Sequence, residues 1–321
     1  MRIVVPAGGV GAARFLRGLL AAVPDAEVTV VGNTGDDITL FGLRVCPDLD
    51  TVMYTLGGGI AEDQGWGRAD ETFTVKAELA AYGAQPQWFG LGDRDLATHV
   101  VRTQMLDAGY PLNEVTEALC RRWGLQERGV RLVPMSDDRV ETHVVVDQDG
   151  VRRAVHFQEY WVRLRAEPVA HDVVAVGAAE ARPAPGVLEA IATADVVVLP
   201  PSNPVVSIGT VLSVPGVRDA LVATAAPVVG VSPILGGAPV RGMADKVLAA
   251  IGVASSADAV ALHYGPELLD GWLVDTGDAD QVQTVTASGI ACRAVPLLMS
   301  SPEATARLAQ EALDLAASVR R

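Results

Sequence analysis

Arg2-Ile3-Val4-Val5-Pro6-Ala7-Gly8-Gly9-Val10-Gly11-Ala12-Ala13-Arg14-Phe15-Leu16 holds a short β-branched run, three closely spaced glycines and an alanine- and leucine-rich continuation. Such a run predicts a strand, a tight turn and a helix. The same rhythm recurs along the chain. Strand-sized apolar runs stand at residues 3–5, 28–31, 173–176, 196–199, 228–231 and 273–274, and helix-like stretches at 16–22, 187–194, 217–223, 243–251 and 303–318. Each strand run gives way to Gly, Ser, Asn or Asp. Alternation of this kind predicts an α/β fold with a parallel sheet.

Two regions depart from the rhythm. Residues 96–123 carry no strand signal and read as two helices broken at Gly109-Tyr110-Pro111, so residues 94–128 are expected to form a small helical insertion. The main domain is then 1–93 together with 129–321. Residues 112–124 superficially resemble a helix-turn-helix element, but the formal net charge of −14 and the lack of any Lys/Arg-rich run argue against nucleic acid as a partner. Runs at 141–146 and 153–157, joined by Asp147-Gln148-Asp149-Gly150, predict a hairpin.

With 321 residues, half of them apolar, the chain can bury a large core. Cys46, Cys120 and Cys292 lack C-x-x-C spacing, which suits a reducing cytoplasm. No export signal is visible, and no apolar run approaches the ~20 residues of a membrane helix. The expectation is a cytoplasmic protein without a membrane partner.

In an open parallel sheet, ligands bind beyond the carboxyl ends of the strands. The first such place is the turn of Gly8, Gly9 and Gly11, whose backbone N–H groups can cradle an anion. A tight strand-to-helix turn needs glycine in any case, and the spacing is not G-x-G-x-x-G. Next come Asn33-Thr34-Gly35-Asp36-Asp37 and Pro47-Asp48-Leu49-Asp50-Thr51, which put the four carboxylates Asp36, Asp37, Asp48 and Asp50 within fifteen residues. A cluster of oxygen ligands favours a hard cation, and magnesium (Mg2+) beside a diphosphate is its natural partner. Helix capping is the alternative.

Asp93, Arg94 and His99 form a further polar group that reads as a site floor or as a self-satisfied network. Ser202 and Asn203, and then Ser232, stand beyond later strands, where they are placed to bond a base or a phosphate oxygen. Arg241, Asp245 and Lys246 offer a cation for a phosphate, or plain surface charge. G-x-S-x-G and Walker lysine motifs are absent.

In order, Gly8-Gly9-Val10-Gly11, Asn33-Thr34-Gly35-Asp36-Asp37, Pro47-Asp48-Leu49-Asp50-Thr51, Leu91-Gly92-Asp93-Arg94-Asp95-Leu96-Ala97-Thr98-His99, Pro134-Met135-Ser136-Asp137-Asp138, His156-Phe157-Gln158-Glu159, Pro201-Ser202-Asn203-Pro204 and Val231-Ser232-Pro233-Ile234 resemble the CofD phospholactate transferase family. Cys46-Pro47-Asp48-Leu49-Asp50 and Arg241-Gly242-Met243-Ala244-Asp245 look most like its actinobacterial FbiA branch.

The resemblance implies a Rossmann-like, three-layer sheet with a helical insertion, a homodimer, and a site for the deazaflavin Fo, a guanosine diphosphate-linked donor and Mg2+. In such enzymes the terminal ribityl hydroxyl of Fo attacks the donor phosphorus and GMP leaves, a step of coenzyme F-420 biosynthesis. The donor carries 2-phospholactate or phosphoenolpyruvate, and the actinobacterial likeness favours the second.

Asp50 matches the family's deazaflavin-site aspartate. With Asp36 and Asp37 it is the expected catalytic group, and with Asp48 and Asp36 the expected metal ligand. Gly8, Gly9, Gly11, Asn33, Thr34, Asp93, Arg94, Ser202, Asn203 and Ser232 are the expected substrate contacts. Gly90 stands where archaeal relatives carry a basic residue. Asp50→Ala is expected to abolish transfer while the fold survives. The competing readings are a nucleotide-sugar-binding regulator of the gluconeogenesis-factor type and an NAD-dependent oxidoreductase.

Overall fold

A computed structural model describes residues 1–319. Seven parallel strands build the central sheet: β1 Arg2–Ala7, β2 Glu27–Gly32, β3 Val130–Pro134, β4 Val196–Leu199, β5 Val228–Val231, β6 Gly271–Asp275 and β7 Ala291–Val295. Their order across the sheet is 7-6-5-4-1-2-3. This is the 3-2-1-4-5-6 order of dinucleotide-binding folds extended by one strand. From β1 the chain winds outward through β2 and β3, then returns to β4 and winds the other way. The switch falls between β1 and β4, which pair directly through Ile3 with Val196 and Val4 with Val197.

Both faces of the sheet are covered. On one side Phe15, Leu16 and Leu19 of α1 (Gly9–Ala22) pack with Val52 and Met53 of α2 (Pro47–Gly57) and with Leu308 and Leu315 of the C-terminal helix Pro302–Ser318. On the other, Val187, Ile191, Val217, Leu221 and Val260 form a second core around Val197, Val228 and Trp272. Central strands such as Val196–Leu199 are buried at every residue, and this is why they read as continuous apolar runs. No single helix among the described residues is long and apolar enough to cross a membrane.

One strand lies elsewhere than the rhythm implied. Residues 173–176 belong to Ala170–Val176, which pairs antiparallel with Glu141–Gln148, itself the partner of Val151–His156 in a separate three-stranded sheet. Its burial alternates residue by residue, the pattern of a half-exposed antiparallel strand. Two strands of the main sheet, β3 and β7, escape the apolar reading because they lie at its edges and carry Arg131 and Arg293.

Beyond α2 the chain forms α3 (Thr74–Ala81), α4 (Asp93–Asp107) and α5 (Leu112–Arg121), the last two on either side of the expected break at Gly109-Tyr110-Pro111. The Pro47–Thr51 motif itself starts a helix. Proline stands at its first position, where a missing N–H costs nothing, and Asp48 through Leu56 are all buried.

Candidate functional site

The β1/β4 crevice brings three sequence motifs together. The loop after β4 lies directly on the first turn of α1. A Cβ at Gly11 would stand 2.3 Å from the Pro201 carbonyl oxygen, and one at Gly8 2.7 Å from Asp48 Oδ2, so only glycine permits this approach. Ser202 Oγ donates to the Gly8 carbonyl at 2.9 Å, tying the two loops together. Asn203 caps the helical turn Pro204–Gly209, its Oδ1 accepting from Val205 N at 2.9 Å and Val206 N at 3.2 Å. Ser232 spends its hydroxyl on its own loop, donating to Ile234 O and accepting from Ile234 N. These three polar residues shape the loops around the crevice.

The glycine turn does not present an empty anion cradle. Asp48 reaches into it, accepting from the Gly9 backbone and, at 2.9 Å, from Asn33 Nδ2. Asn33 is fixed in turn, donating to Val206 O at 3.2 Å and accepting from Gly35 N at 2.9 Å. Asp36 lies beside this pair. Burial, then the charge of Asp48, push the Asp36 carboxyl well above the ordinary carboxylate range, against the pull of its bond to Asn33. Burial likewise raises Asp48 to about 6. Among the described residues no cationic side chain pairs with either acid, and Asp36 Oδ1 and Thr34 Oγ1 are buried without a hydrogen-bond partner. Two adjacent desolvated carboxylates with an orphaned oxygen suit a hard divalent cation.

Asp37 has a different setting. Its Oδ2 accepts from Arg44 Nη2 at 3.0 Å and from Cys46 Sγ at 2.9 Å. Burial raises its pKa to about 6, although Arg44, Cys46 and Arg102 all oppose the rise. His156 Nε2 donates to the Asp37 carbonyl at 3.1 Å, and Gln158 N donates to His156 Nδ1. That pair of bonds fixes a neutral imidazole, in line with the downward shift burial gives it. Asp37 is wholly buried and holds the inner wall of the site.

Asp50 sits in a second, largely buried network. Arg102 grips it with both terminal nitrogens, Nη1 at 3.1 Å from Oδ2 and Nη2 on Oδ1, and also reaches Arg44 O at 3.4 Å. His99 Nδ1 accepts from Arg102 Nη1 at 3.2 Å, and the ring lies between Asp50, 3.7 Å from Nδ1, and Asp95, 3.3 Å from Nε2. The Tyr54 hydroxyl donates to Asp95 Oδ1 at 2.6 Å and lies 2.8 Å from Thr98 Oγ1. Burial works against the Asp95 charge, yet His99, Tyr54 and Arg102 draw its pKa below the ordinary value.

Sequence reasoning passed over Arg102 and Tyr54, and took Asp95 only as part of the Leu91–Asp95 polar cluster beside His99. The signal was present: Asp95, His99 and Arg102 are four and three residues apart on α4, and Asp50 and Tyr54 four apart on α2, so each set shares a face. Asp50, Asp95 and His99 offer ligand atoms within 4.8 Å of one another, a possible acidic metal site in a family that fits metal-dependent transfer. Here, however, a guanidinium already neutralises Asp50, and an imidazole nitrogen is a poor ligand for a hard cation. The Asp36/Asp48 pair fits such a cation better.

Asp93 and Arg94 are committed to helix ends. Asp93 accepts from Thr72 Oγ1 at 2.6 Å and from Thr74 N and Val75 N, both at 2.9 Å, capping α3, and these bonds draw its pKa down to about 2. Glu71 returns the favour at α4, accepting from Arg94 N at 2.6 Å and Asp95 N at 3.0 Å. The Arg94 guanidinium is half exposed and bonds Ala69 O.

Comparison with known proteins places this geometry in a family. The family model described as 2-phospho-L-lactate transferase CofD matches residues 3–293. A phosphoenolpyruvate transferase of Streptomyces coelicolor is 71% identical, the match covering 100% of this chain and 99% of that protein. The one of Mycolicibacterium smegmatis is 56% identical over 98% and 99%. A solved member of the UPF0052 family from Bacillus halodurans shares the fold, with a TM-score of 0.63 and 17% identity over 97% of this chain and 98% of that one. Matched across nearly its whole length, the chain belongs to the CofD family of transferases of phosphorus-containing groups.

Proposed function

We propose that the chain transfers enolpyruvyl-2-phosphate from a guanosine diphosphate-linked donor to the deazaflavin Fo, releasing GMP and forming dehydro coenzyme F-420-0. One observation carries the geometric side: Asp48, paired with no cation among the described residues, reaches into the turn at the start of α1 where a diphosphate would dock, with Asp36 beside it. A diphosphate cannot approach Asp48 without a cation between them. Magnesium held by Asp36 and Asp48 would supply that charge neutralisation. The identity to phosphoenolpyruvate transferases favours the enolpyruvyl over the phospholactyl group.

In this reading the Gly8–Gly11 turn and the Ser202-Asn203 loop hold the donor's diphosphate in the β1/β4 crevice. Asp50, oriented by Arg102, aligns the ribityl hydroxyl. The oxygen–phosphorus bond to Fo forms as the anhydride bond to GMP breaks, GMP carries off the electron pair, and the acid cluster receives the hydroxyl proton. The same reading places the protein in the cytoplasm as a homodimer, with residues 94–128 as an insertion on the main domain; the three free cysteines suit a reducing compartment.

The test is direct. Purified protein is incubated with Fo and either donor, with and without Mg2+, and GMP and product are followed by chromatography and mass spectrometry. Mg2+-dependent release of GMP with the dehydro product is expected. No release from either donor overturns the proposal, and preference for the phospholactyl donor overturns its choice of acid.

A further inference from the structure

Of the two cations around the start of the helix Ala244–Ala250, one is committed and one is not. Lys246 Nζ donates to the Ala166 carbonyl. Arg241 is exposed, and among the described residues no carboxylate pairs with it. Its backbone is nevertheless held from both sides. Upstream, the hairpin Ile234–Leu235/Ala238–Pro239 is pinned by Asp278, whose carboxylate accepts from Gly236 N at 3.0 and 3.2 Å, and by Ser255 Oγ, which donates to Gly237 O at 3.0 Å. Downstream, Met243 is buried in the core under the three-stranded sheet. Arg241 rides on the short link between these two anchors.

That link lies beyond the carboxyl end of β5 and leans over the glycine turn. The contact is made through Gly65, a buried residue of the loop after α2: a Cβ there would stand 2.7 Å from Val10 Cγ1 and 3.3 Å from Arg241 Nη1. The guanidinium therefore stands beside Val10, between Gly9 and Gly11, where the diphosphate would dock. Asp50 lies on the other side of the crevice, on the helix that follows β2, with β1 and β4 between it and β5. Arg44, Arg102 and Arg17 are each engaged by a carboxylate, of Asp37, Asp50 and Glu62.

We infer that Arg241 is a catalytic residue for the leaving group, its guanidinium taking the charge that develops on the GMP phosphate as the anhydride bond breaks. This rests on the proposed transfer to Fo. In-line displacement puts the attacking and departing oxygens on opposite sides of phosphorus. With the ribityl hydroxyl at Asp50, the departing oxygen faces the β5 side of the crevice, which is the side of Arg241. The Fo oxygen bonds to phosphorus, the bridging oxygen leaves with the electron pair of its broken bond, and the GMP phosphate gains one negative charge while the hydroxyl proton passes to the acid cluster. Asp36 and Asp48 already match the charge of a divalent cation, so the new charge on GMP calls for a separate partner. A planar fork of N–H donors suits a phosphate in that role.

A contact made in the transition state lowers the rate of the chemical step and leaves donor binding alone. Single-turnover GMP release is followed against donor concentration, with saturating Fo and Mg2+, in wild type, Arg241→Gln and Arg241→Lys, and in Arg241→Gln with guanidinium ion added at a non-denaturing concentration. Arg241→Gln is expected to slow release about a hundredfold or more while the half-saturating donor concentration stays within about twofold. Arg241→Lys should keep part of the rate, and guanidinium ion should return part of it to Arg241→Gln. Arg241→Gln as fast as wild type overturns this inference alone, as does weaker donor binding at an unchanged rate, or a slowed rate that neither lysine nor guanidinium ion relieves. Wild type that releases no GMP overturns the transfer reading itself.

Discussion

At the residue scale, the four clustered aspartates divide into roles that their spacing did not reveal. Among the described residues Asp36 and Asp48 pair with no cation, whereas Asp37 and Asp50 have arginines. Cation binding requires both acids to be ionised, and burial works against this as the pH falls, for Asp48 below about 6. In the metal-free protein the raised pKa of Asp48 contributes stability that is present below pH about 4 and lost as pH rises through about 6, and Asp36 acts in the same direction. His156 and His263, shifted downward by burial, contribute in the opposite sense.

The difference made by Mg2+ isolates the acid pair. Thermal unfolding should show a larger Mg2+-induced rise in Tm at pH 7.5 than at pH 5, and Asp48→Asn should remove it and slow transfer a hundredfold or more, since several kcal/mol of charge stabilisation is withdrawn. A rise independent of pH, or one that survives in Asp48→Asn, would place the cation elsewhere.

Asp50 needs a different experiment from the one its motif suggests. Arg102 is 1% exposed, so removing Asp50 strands a buried guanidinium, at a cost of about 3–5 kcal/mol. Asp50→Ala is therefore expected to lower stability as well as abolish transfer. In urea unfolding, Asp50→Asn should lose much of this stability and Asp50→Asn/Arg102→Met regain most of it, while transfer stays lost in both. Recovery of transfer in the double variant would reduce Asp50 to a structural role.

At the element scale, α3 and α4 hold one another by exchanged caps, Asp93 for α3 and Glu71 for α4. Gly92 leaves room for the exchange, because a Cβ there would lie 2.0 Å from Glu71 Cγ, 2.1 Å from Cδ and 2.4 Å from Oε2. Gly92→Ala should displace Glu71 and cost about 1 kcal/mol, the usual value of a lost cap. Hydrogen exchange should quicken first at Arg94 and Asp95 N–H, and unchanged protection there would show that Glu71 finds another way in. The motif Leu91-Gly92-Asp93-Arg94-Asp95 thus contains both kinds of residue, with Asp93 and Gly92 building helix ends and Asp95 entering the buried network.

Sequence shows which residue types cluster and at what helical spacing. It does not show which oxygen a distant backbone N–H will claim. That is why the sequence could not show that Ser202 bonds the Gly8 carbonyl, Asn203 caps Pro204–Gly209 and Ser232 bonds its own loop.

At the scale of the whole molecule, the parallel sheet and its strand-end clusters were legible because buried central strands are apolar at every residue and the turns beyond them are not. The edge strands β3 and β7 were not, since an edge tolerates arginine, and Ala170–Val176 showed as a strand but not as antiparallel, because partial exposure rather than its apolar run sets its place. The junction of the two sheet halves is the contact of Gly11 with Pro201. Gly11→Ala should part α1 from the loop after β4, lowering stability by about 1–3 kcal/mol through overpacking and reducing GMP release with it. A urea midpoint shifted without loss of transfer would separate the junction from the chemistry.

The strand order also sets a timetable. β1 pairs with β4 through Ile3 and Val196, so the crevice is closed by segments 193 residues apart. At ribosomal rates of about 5–20 residues per second, β1 and β2 wait roughly 10–40 s for that neighbour to be made. During that wait the apolar edge of β1 is an unpaired template, and the nascent chain is at its most exposed to pairing with the wrong strand.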